Sequence, residues 1–394
     1  MNEVKLPSLG ADMDKGTLLE WRVKAGDTVR KGDIIAVVDT SKTAIDVESW
    51  HNGTVLELAV APGDTLLVGS AMAYFAEPGE DLDIARQKVL LSKKSAPART
   101  VAATAPTPVE PKLPPLAVAS LRVSPAARRR AAELQIELGA MTGSGPGDAI
   151  TLEDVERAAA ARKTAAPSPT PADRYREMRR SIAQAMTRSK REIPHYYLYE
   201  EVALGRALDW LRAQNETRPV TQRLLIAALY IKAVGLAAVK YPELNGFFID
   251  GEHHPSSRVH VGVAISLRQG GLIAPAIHDV ERKSLDEVMC DLTDLVQRAR
   301  AGSSRSSELS DPTITLTNLG EQSVTALFPL INPPQVAIVG VGKIADRPWV
   351  IDAQLGIYPL ATFSLAADHR VSDGQRGAGF LSEIRDLLQA PERL

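Results

Sequence analysis

The sequence predicts a multidomain chain: an all-β first unit, a small helical second unit and a larger α/β third unit. Three observations carry this expectation. Two segments, SAPARTVAATAPTPVEPKLPPLAVAS (95–120) and ARKTAAPSPTPAD (161–173), are rich in Ala and Pro and hold almost no large apolar side chains, so neither can bury a core. The N-terminal part contains an internal repeat bounded by strand-like runs. Beyond residue 174 the apolar pattern alternates between helix and strand periods. The expected boundaries are 1–78, a linker at 79–120, 121–160, a second linker at 161–173, and 174–394.

Composition narrows the function classes. The chain has 394 residues, 44% of them hydrophobic, and a formal net charge of −2. That is enough apolar residue for sizeable cores, and nothing global points to nucleic acid or a membrane surface. Cys290 is the only cysteine, so no disulfide framework can form within the chain, which suits a reducing compartment and a cytoplasmic location. The expected role of Cys290 is that of a small buried hydrophobe. No metal site is credible from one Cys and scattered His residues. MNEVKLPSLG shows no signal or transit pattern. The apolar run from Leu224 to Val239 is interrupted by Lys232 and reads as a buried helix.

In the first unit, VKAGDTVRKG (23–32) recurs as VAPGDTLLVG (60–69), an offset of 37 residues. Each copy places Gly-Asp-Thr in a turn and an apolar strand after it, which implies two interlocked half-sheets related by a pseudo-twofold. The chain crosses between the halves near residues 39–44, within DTSKTAIDVES (39–49). Alternating apolar residues stop at Val38 and resume at Ile45 and Val47, leaving Lys42 near the tip of a hairpin. A turn lysine is ordinarily just solvated. Its place at the hinge of the repeat is what sets this one apart.

The unit resembles the lipoyl domain of 2-oxo acid dehydrogenase complexes. The resemblance implies a flattened β-barrel of two sheets with lipoate in amide linkage on Lys42. The usual flanks of that lysine are Asp and Ala; here they are Ser41 and Thr43. Biotin domains share the fold but usually have Met on both sides, so lipoate is the expected group.

The second unit, LRVSPAARRRAAELQIELGAMTGSGPGDAITLEDVERAAA, opens with Ser124-Pro125, an N-cap followed by Pro at the first helical position. A short helix to about Leu134 follows, then a GSGPGDA loop. A second helix opens at Thr151, with Asp154 closing a capping box. It resembles the peripheral subunit-binding domain of the same complexes, which holds the thiamine diphosphate-dependent decarboxylase or dihydrolipoyl dehydrogenase. Arg128, Arg129 and Arg130 form the candidate positive face for such a partner; a solvated helix face is the plainer reading. Where the family's loop usually ends Gly-Arg-Ile, this one ends Asp148-Ala149-Ile150, which removes a positive charge and adds a negative one.

In the third unit TQRLLIAALYIKAVGLAAVKYPEL reads as a buried helix capped by Thr221 and ended before Pro242, and VHVGVAISL, TITLTNLG and VAIVGVG read as strands. Near the C-terminus a strand ends close to Ala366. A polar turn then carries Asp368 to Gly374, and an amphipathic helix follows with Phe380, Leu381, Ile384, Leu387 and Leu388 on one face. A histidine at such a turn, here His369, is more often a hydrogen-bonding turn residue than a catalyst, and Asp373 can be explained as an N-cap. Ser372 lies in no Gly-x-Ser-x-Gly elbow.

His369 to Gly374 nevertheless matches the His-x-x-x-Asp-Gly motif of dihydrolipoamide acyltransferases and of chloramphenicol acetyltransferase. MRRSIAQAMTRSKREIPHYYL, KYPELNG, GGLIAPAI and TITLTNLG extend the match across the third unit. The resemblance implies an α/β chloramphenicol acetyltransferase-like domain that moves an acyl group from dihydrolipoamide to coenzyme A. His369 is then the base, Thr317 the hydroxyl donor to the oxyanion, and Asp373 a residue of the same site that orders the turn and pairs with an arginine in relatives. His195, in IPHYY, is expected to be structural. The family forms trimers with the site between subunits, commonly built into a larger core. Acetyl is the expected acyl group and branched-chain acyl the alternative; a lipoyl-bearing scaffold without catalysis is disfavoured by His369, and a biotin carrier by the flanks of Lys42.

Overall fold

The computed structural model describes residues 1–7, 13, 15–40, 44–80, 85, 89, 123–134, 138, 143–146, 149–157, 171–267, 271–320, 324–351 and 353–394. Lys42, Asp148 and most of both linkers lie outside the described residues. The chain forms two compact units, Met1–Ser95 with Arg174–Leu394, and Ala96–Asp173.

The N-terminal part of the first unit is built from β1 (Asn2–Lys5), β2 (Lys15–Trp21), β3 (Thr28–Val29), β4 (Ile34–Asp39), β5 (Ala44–Glu48), β6 (Gly53–Leu58), β7 (Thr65–Leu67) and β8 (Ala71–Ala76). Its two sheets run β1-β8-β6-β3 and β5-β4-β2-β7. Val4, Leu18, Ile35, Val38, Ile45, Val47, Val55 and Phe75 fill the space between them. The repeat is visible bond for bond. Asp27 and Asp64 each accept a backbone N–H from three residues earlier, Lys24 and Ala61. Leu18 donates to the Asp64 carbonyl as Val55 donates to that of Asp27. Gly26 and Gly63 both stand at positive φ, 97° and 92°, where a side chain would strain the turn. The β4–β5 pairing closes at Asp39 opposite Ala44, so the connection holding Lys42 is short.

The second unit contains α1 (Pro125–Glu133), where the Ala127 N–H donates to Ser124 Oγ at 3.2 Å. Residues 152–157 are helical, and Thr151 and Asp154 exchange bonds in a reciprocal cap. Backbone N–H groups of Ser144 and Thr151 hold the Asp154 carboxyl well below the usual carboxylate range. Ala127, Ala131, Ile150 and Val155 make its small core.

The acyltransferase-like part begins with α2 (Pro171–Glu192), β9 (His195–Ala203), α3 (Gly205–Glu216) and α4 (Ile226–Lys240). Next come β10 (Gly246–Ile249), β11 (Glu252–Pro255), β12 (Val261–Val263), β13 (Ile265–Ser266), β14 (Leu272–Ile273) and β15 (Ala276–Ile277). The chain closes with α5 (Leu285–Ala301), β16 (Ser304–Arg305), α6 (Ser306–Ser310), β17 (Ile314–Asn318), β18 (Ala337–Val341), β19 (Ala345–Ile351), β20 (Gln354–Asp368) and α7 (Gly374–Gln389). The main sheet is ordered β15-β12-β17-β18-β20-β19, with β9 also paired to β20. Helices α4, α5 and α7 cover one face. Among the described residues, Val220–Lys240 is the one stretch long and apolar enough for a membrane span, and most of it is buried in this core.

Two expectations are corrected. Helix α4 starts at Ile226, and Thr221 lies in a preceding 3₁₀ turn without capping it. The Asn215 side chain bonds both the N–H and the carbonyl of Leu224, which holds that segment extended. Cys290 is exposed on α5 and not buried. The buried side of α5 is supplied by Leu285, Val288, Leu292 and Leu295, and Cys290 falls off that stripe.

Candidate active site

His369 occupies the first position after β20, the longest strand of the sheet. Three sets of contacts fix it there. Its N–H donates to the Pro194 carbonyl at 3.0 Å, which ties the turn to the start of β9. Asp368 before it is fully buried, and its carboxylate accepts from the Arg370 backbone N–H and, on both oxygens, from the Arg370 guanidinium, at 2.6 Å from Nη2. The same guanidinium lies 3.8 Å above the Phe248 ring. The ring of Tyr196 then meets the His369 imidazole edge-on, centroids 5.2 Å apart, while its hydroxyl shares a 2.9 Å bond with Ser372 Oγ. Burial pushes the Tyr196 phenol up, so it stays a neutral hydroxyl.

Gly377 of α7 makes room for Tyr196: a Cβ there would stand 2.9 Å from its ring. Asp373 caps α7, accepting the Arg376 N–H at 3.0 Å. The arginine pairing expected of Asp373 is made by Asp368 instead, and the Arg376 side chain goes to Glu243.

The imidazole of His369 is exposed, with no hydrogen bond described to either ring nitrogen, so it is open to an incoming group. His195 is the opposite case. Its Nε2 accepts from Ile331 N–H at 3.1 Å, and its Nδ1 therefore donates to the Ile193 carbonyl at 2.9 Å. Burial lowers its pKa, and with both nitrogens engaged it is a structural histidine.

Thr317 sits near the end of β17, almost buried, opposite Gly340 of β18, which faces Ser364 of β20. His369 is five residues farther along, two strands over. Strand geometry separates the two by on the order of 20 Å. One chain therefore does not bring Thr317 to His369. On β9, Tyr199 stands opposite Ser364 and is exposed, and it meets the exposed Phe328 ring edge-on, centroids 6.3 Å apart.

Arg128, Arg129 and Arg130 are exposed on α1, with Arg130 Nε 4.0 Å from Glu156. Among the described residues, no group of three or more His, Cys, Asp or Glu could hold a metal. Three functional neighbours were not singled out in the sequence: Tyr196, the Asp368–Arg370 pair and Gly377. The first two lie inside quoted motifs, and only their tertiary contacts reveal their part.

A lysine-bearing hairpin domain, a small partner-type domain and a histidine-turn α/β domain together define a carrier-linked acyltransferase. The comparisons agree. The family model of 2-oxoacid dehydrogenases acyltransferase (catalytic domain) matches residues 168–394, the e3 binding domain 121–156, and the biotin-requiring enzyme model 2–75. The chain belongs to the 2-oxo acid dehydrogenase acyltransferase family.

Among its relatives is the dihydrolipoyllysine-residue acetyltransferase component of the pyruvate dehydrogenase complex of Zymomonas mobilis. It is 30% identical, covering 99% of this chain and 98% of that one. The lipoamide acyltransferase component of the branched-chain alpha-keto acid dehydrogenase complex of Pseudomonas putida is 32% identical, covering 98% and 97%. A crystallographic study of the Azotobacter vinelandii dihydrolipoamide acetyltransferase gives a TM-score of 0.52 at 26% identity, covering 55% of this chain and 90% of that one. It concerns the catalytic roles of a serine, a histidine and an asparagine.

Proposed function

We propose that the chain transfers an acetyl group from dihydrolipoamide to coenzyme A as the core component of a 2-oxo acid or acetoin dehydrogenase complex. The observation that carries this reading is the fixed, open imidazole of His369. In the Azotobacter vinelandii enzyme the named serine precedes the histidine by 52 residues and the asparagine follows it by four. Thr317 and Asp373 stand at those same spacings from His369.

When bound at Lys42, the lipoyl group supplies a dithiol that carries the acyl group as a thioester. The short β4–β5 connection, four residues between the paired Asp39 and Ala44, fits that attachment. The residues of the chain do the rest. A thiol with an ordinary pKa near 8.5 is only a few per cent ionised at neutral pH. His369 accepts the coenzyme A proton as its sulfur attacks the acyl carbon. The Thr317 hydroxyl donates to the negative charge that develops on the acyl oxygen. As the carbon–sulfur bond to the carrier breaks, His369 returns the proton to the departing sulfur. Asp368 and Arg370 hold the turn, and Tyr196 limits the imidazole's rotation.

The separation of Thr317 from His369 calls for a second subunit, as in a homotrimer, and the exposed pair of Tyr199, on β9, and Phe328 is a surface such a neighbour would cover. A larger core built from trimers fits a relative described as the cubic core of the pyruvate dehydrogenase complex, with a TM-score of 0.52. Arg128, Arg129 and Arg130 face the decarboxylase or dihydrolipoyl dehydrogenase, and the assembly works in the cytoplasm. Branched-chain acyl transfer is the second reading, favoured by the likeness to the Pseudomonas putida component. A panel of acetyl-, isobutyryl- and succinyl-dihydrolipoamide with coenzyme A tests the choice. The reading expects the highest kcat/KM with acetyl; a preference for isobutyryl overturns it.

A further inference from the structure

The sheet that carries the lysine hairpin does not end at its own strands. On the side away from β4, β5 forms a parallel pair with β16 of the acyltransferase domain, Ile45 opposite Ser304 and Asp46 opposite Arg305. Glu48 closes β5 and is 9% exposed. Its N–H donates to Ser306 Oγ at 3.0 Å, and its carboxylate accepts from both the backbone N–H and the hydroxyl of Ser307. Leu309 packs against the apolar cores of both domains. Strand addition, a buried carboxylate with two donors and an apolar plug are the ingredients of specific recognition at a sheet edge.

The receiving segment is also held in shape from its own side. The Arg298 guanidinium grips the Glu308 carboxylate with two nitrogens, and the Arg305 N–H donates to the same group at 3.0 Å. These bonds pin α6 and β16 to α5, so little ordering remains to be done when β5 arrives. The two domains belong to one chain, so their docking is intramolecular and a contact too weak to hold separate molecules together can still be populated. Docking at β5 seats the strand that leaves Lys42 on the segment that leads into β17, the strand of Thr317.

We propose that β16 and α6 form a docking surface for the lipoyl domain, keyed by Glu48, so that the domain exchanges between a docked and a free state. The naming of the two domains rests on the function proposed above; the contact itself does not. Hydrogen exchange on the full chain tests it, following the segments 44–48 and 303–309. Glu48→Arg and Ser307→Asp each place a charge against the contact from one side, and the double variant restores an opposite-charge pair. Each single variant is expected to speed exchange in both segments by about tenfold or more, and the double variant to recover much of the protection. Exchange in β8, inside the lipoyl domain, reports that this domain stays folded; Ser307→Asp leaves its sequence untouched. Wild-type protection in both single variants, or no recovery in the double, overturns the docking surface. Transfer from free acetyl-dihydrolipoamide, measured on the same samples, stays at the wild-type level. If the wild-type chain itself lacks that activity, the proposed function fails while the exchange result still decides the docking.

Discussion

Thr317 on β17 and His369, just past the end of β20, stand at opposite ends of the same sheet, His369 five residues beyond Ser364, which shares a row with Gly340 and Thr317. A hydroxyl and an imidazole so placed cannot act on one carbonyl within a single chain. They can act together only if a neighbouring subunit turns its Thr317 toward this His369.

That arrangement predicts complementation. His369→Ala chains should lose about 10²–10⁴-fold in transfer rate, and Thr317→Ala chains about 10²–10³-fold. Co-assembled in equal amounts, the two should regain activity, to about a quarter of the wild-type level by random assortment around a ring. Activity of the mixture no higher than that of either variant would place both groups in one chain's site.

The buried Asp368 carboxylate is held by Arg370, and its loss leaves the guanidinium without its partner against Phe248. Asp368→Asn should cost about 3 kcal/mol in denaturant unfolding and lower kcat as the His369 turn loosens. Asp373 should behave differently. Asp373→Asn keeps an N-cap acceptor and should change stability little, whereas Asp373→Ala should cost about 1 kcal/mol. Equal losses for Asp368→Asn and Asp373→Asn would contradict these distinct roles.

Much of this was legible in the sequence, and the reasons differ by region. The Gly-Asp-Thr repeat exposed the half-sheets because each turn needs an aspartate acceptor and a glycine at positive φ, requirements that local sequence states openly. Asp373 and the apolar stripe of α7 were legible for the same reason. Tyr196 and the Asp368–Arg370 pair were not. Their roles come from β9 lying beside β20, a pairing between residues far apart in the chain. The start of α4 was misplaced because Asn215, on the preceding helix, holds Leu224 extended where a local cap at Thr221 looked sufficient.

His195 predicts a pH dependence of stability. Burial depresses its folded-state pKa below the ordinary 6.5. Below that value the unfolded chain takes up a proton that the folded chain resists, so stability falls as pH drops from about 6.5 toward the folded pKa and levels off beneath it. His195→Gln retains an acceptor for the Ile331 N–H and has no proton to gain. Its melting temperature should fall less than that of the wild type between pH 7.5 and 5.5. An equal fall in both would assign the dependence to other groups.

Lys42→Arg should remove the lipoyl group from the intact mass of protein isolated from its own host. It should abolish turnover by the complete complex while leaving transfer from free acetyl-dihydrolipoamide unchanged. A lipoyl mass retained in that variant would move the attachment site elsewhere.

The most direct test of the central claim is single-turnover transfer from acetyl-dihydrolipoamide to coenzyme A by assembled His369→Ala protein. A base at His369 predicts a rate lower by about 10²–10⁴-fold with the oligomer intact. A wild-type rate in that variant would show that another group takes the thiol proton.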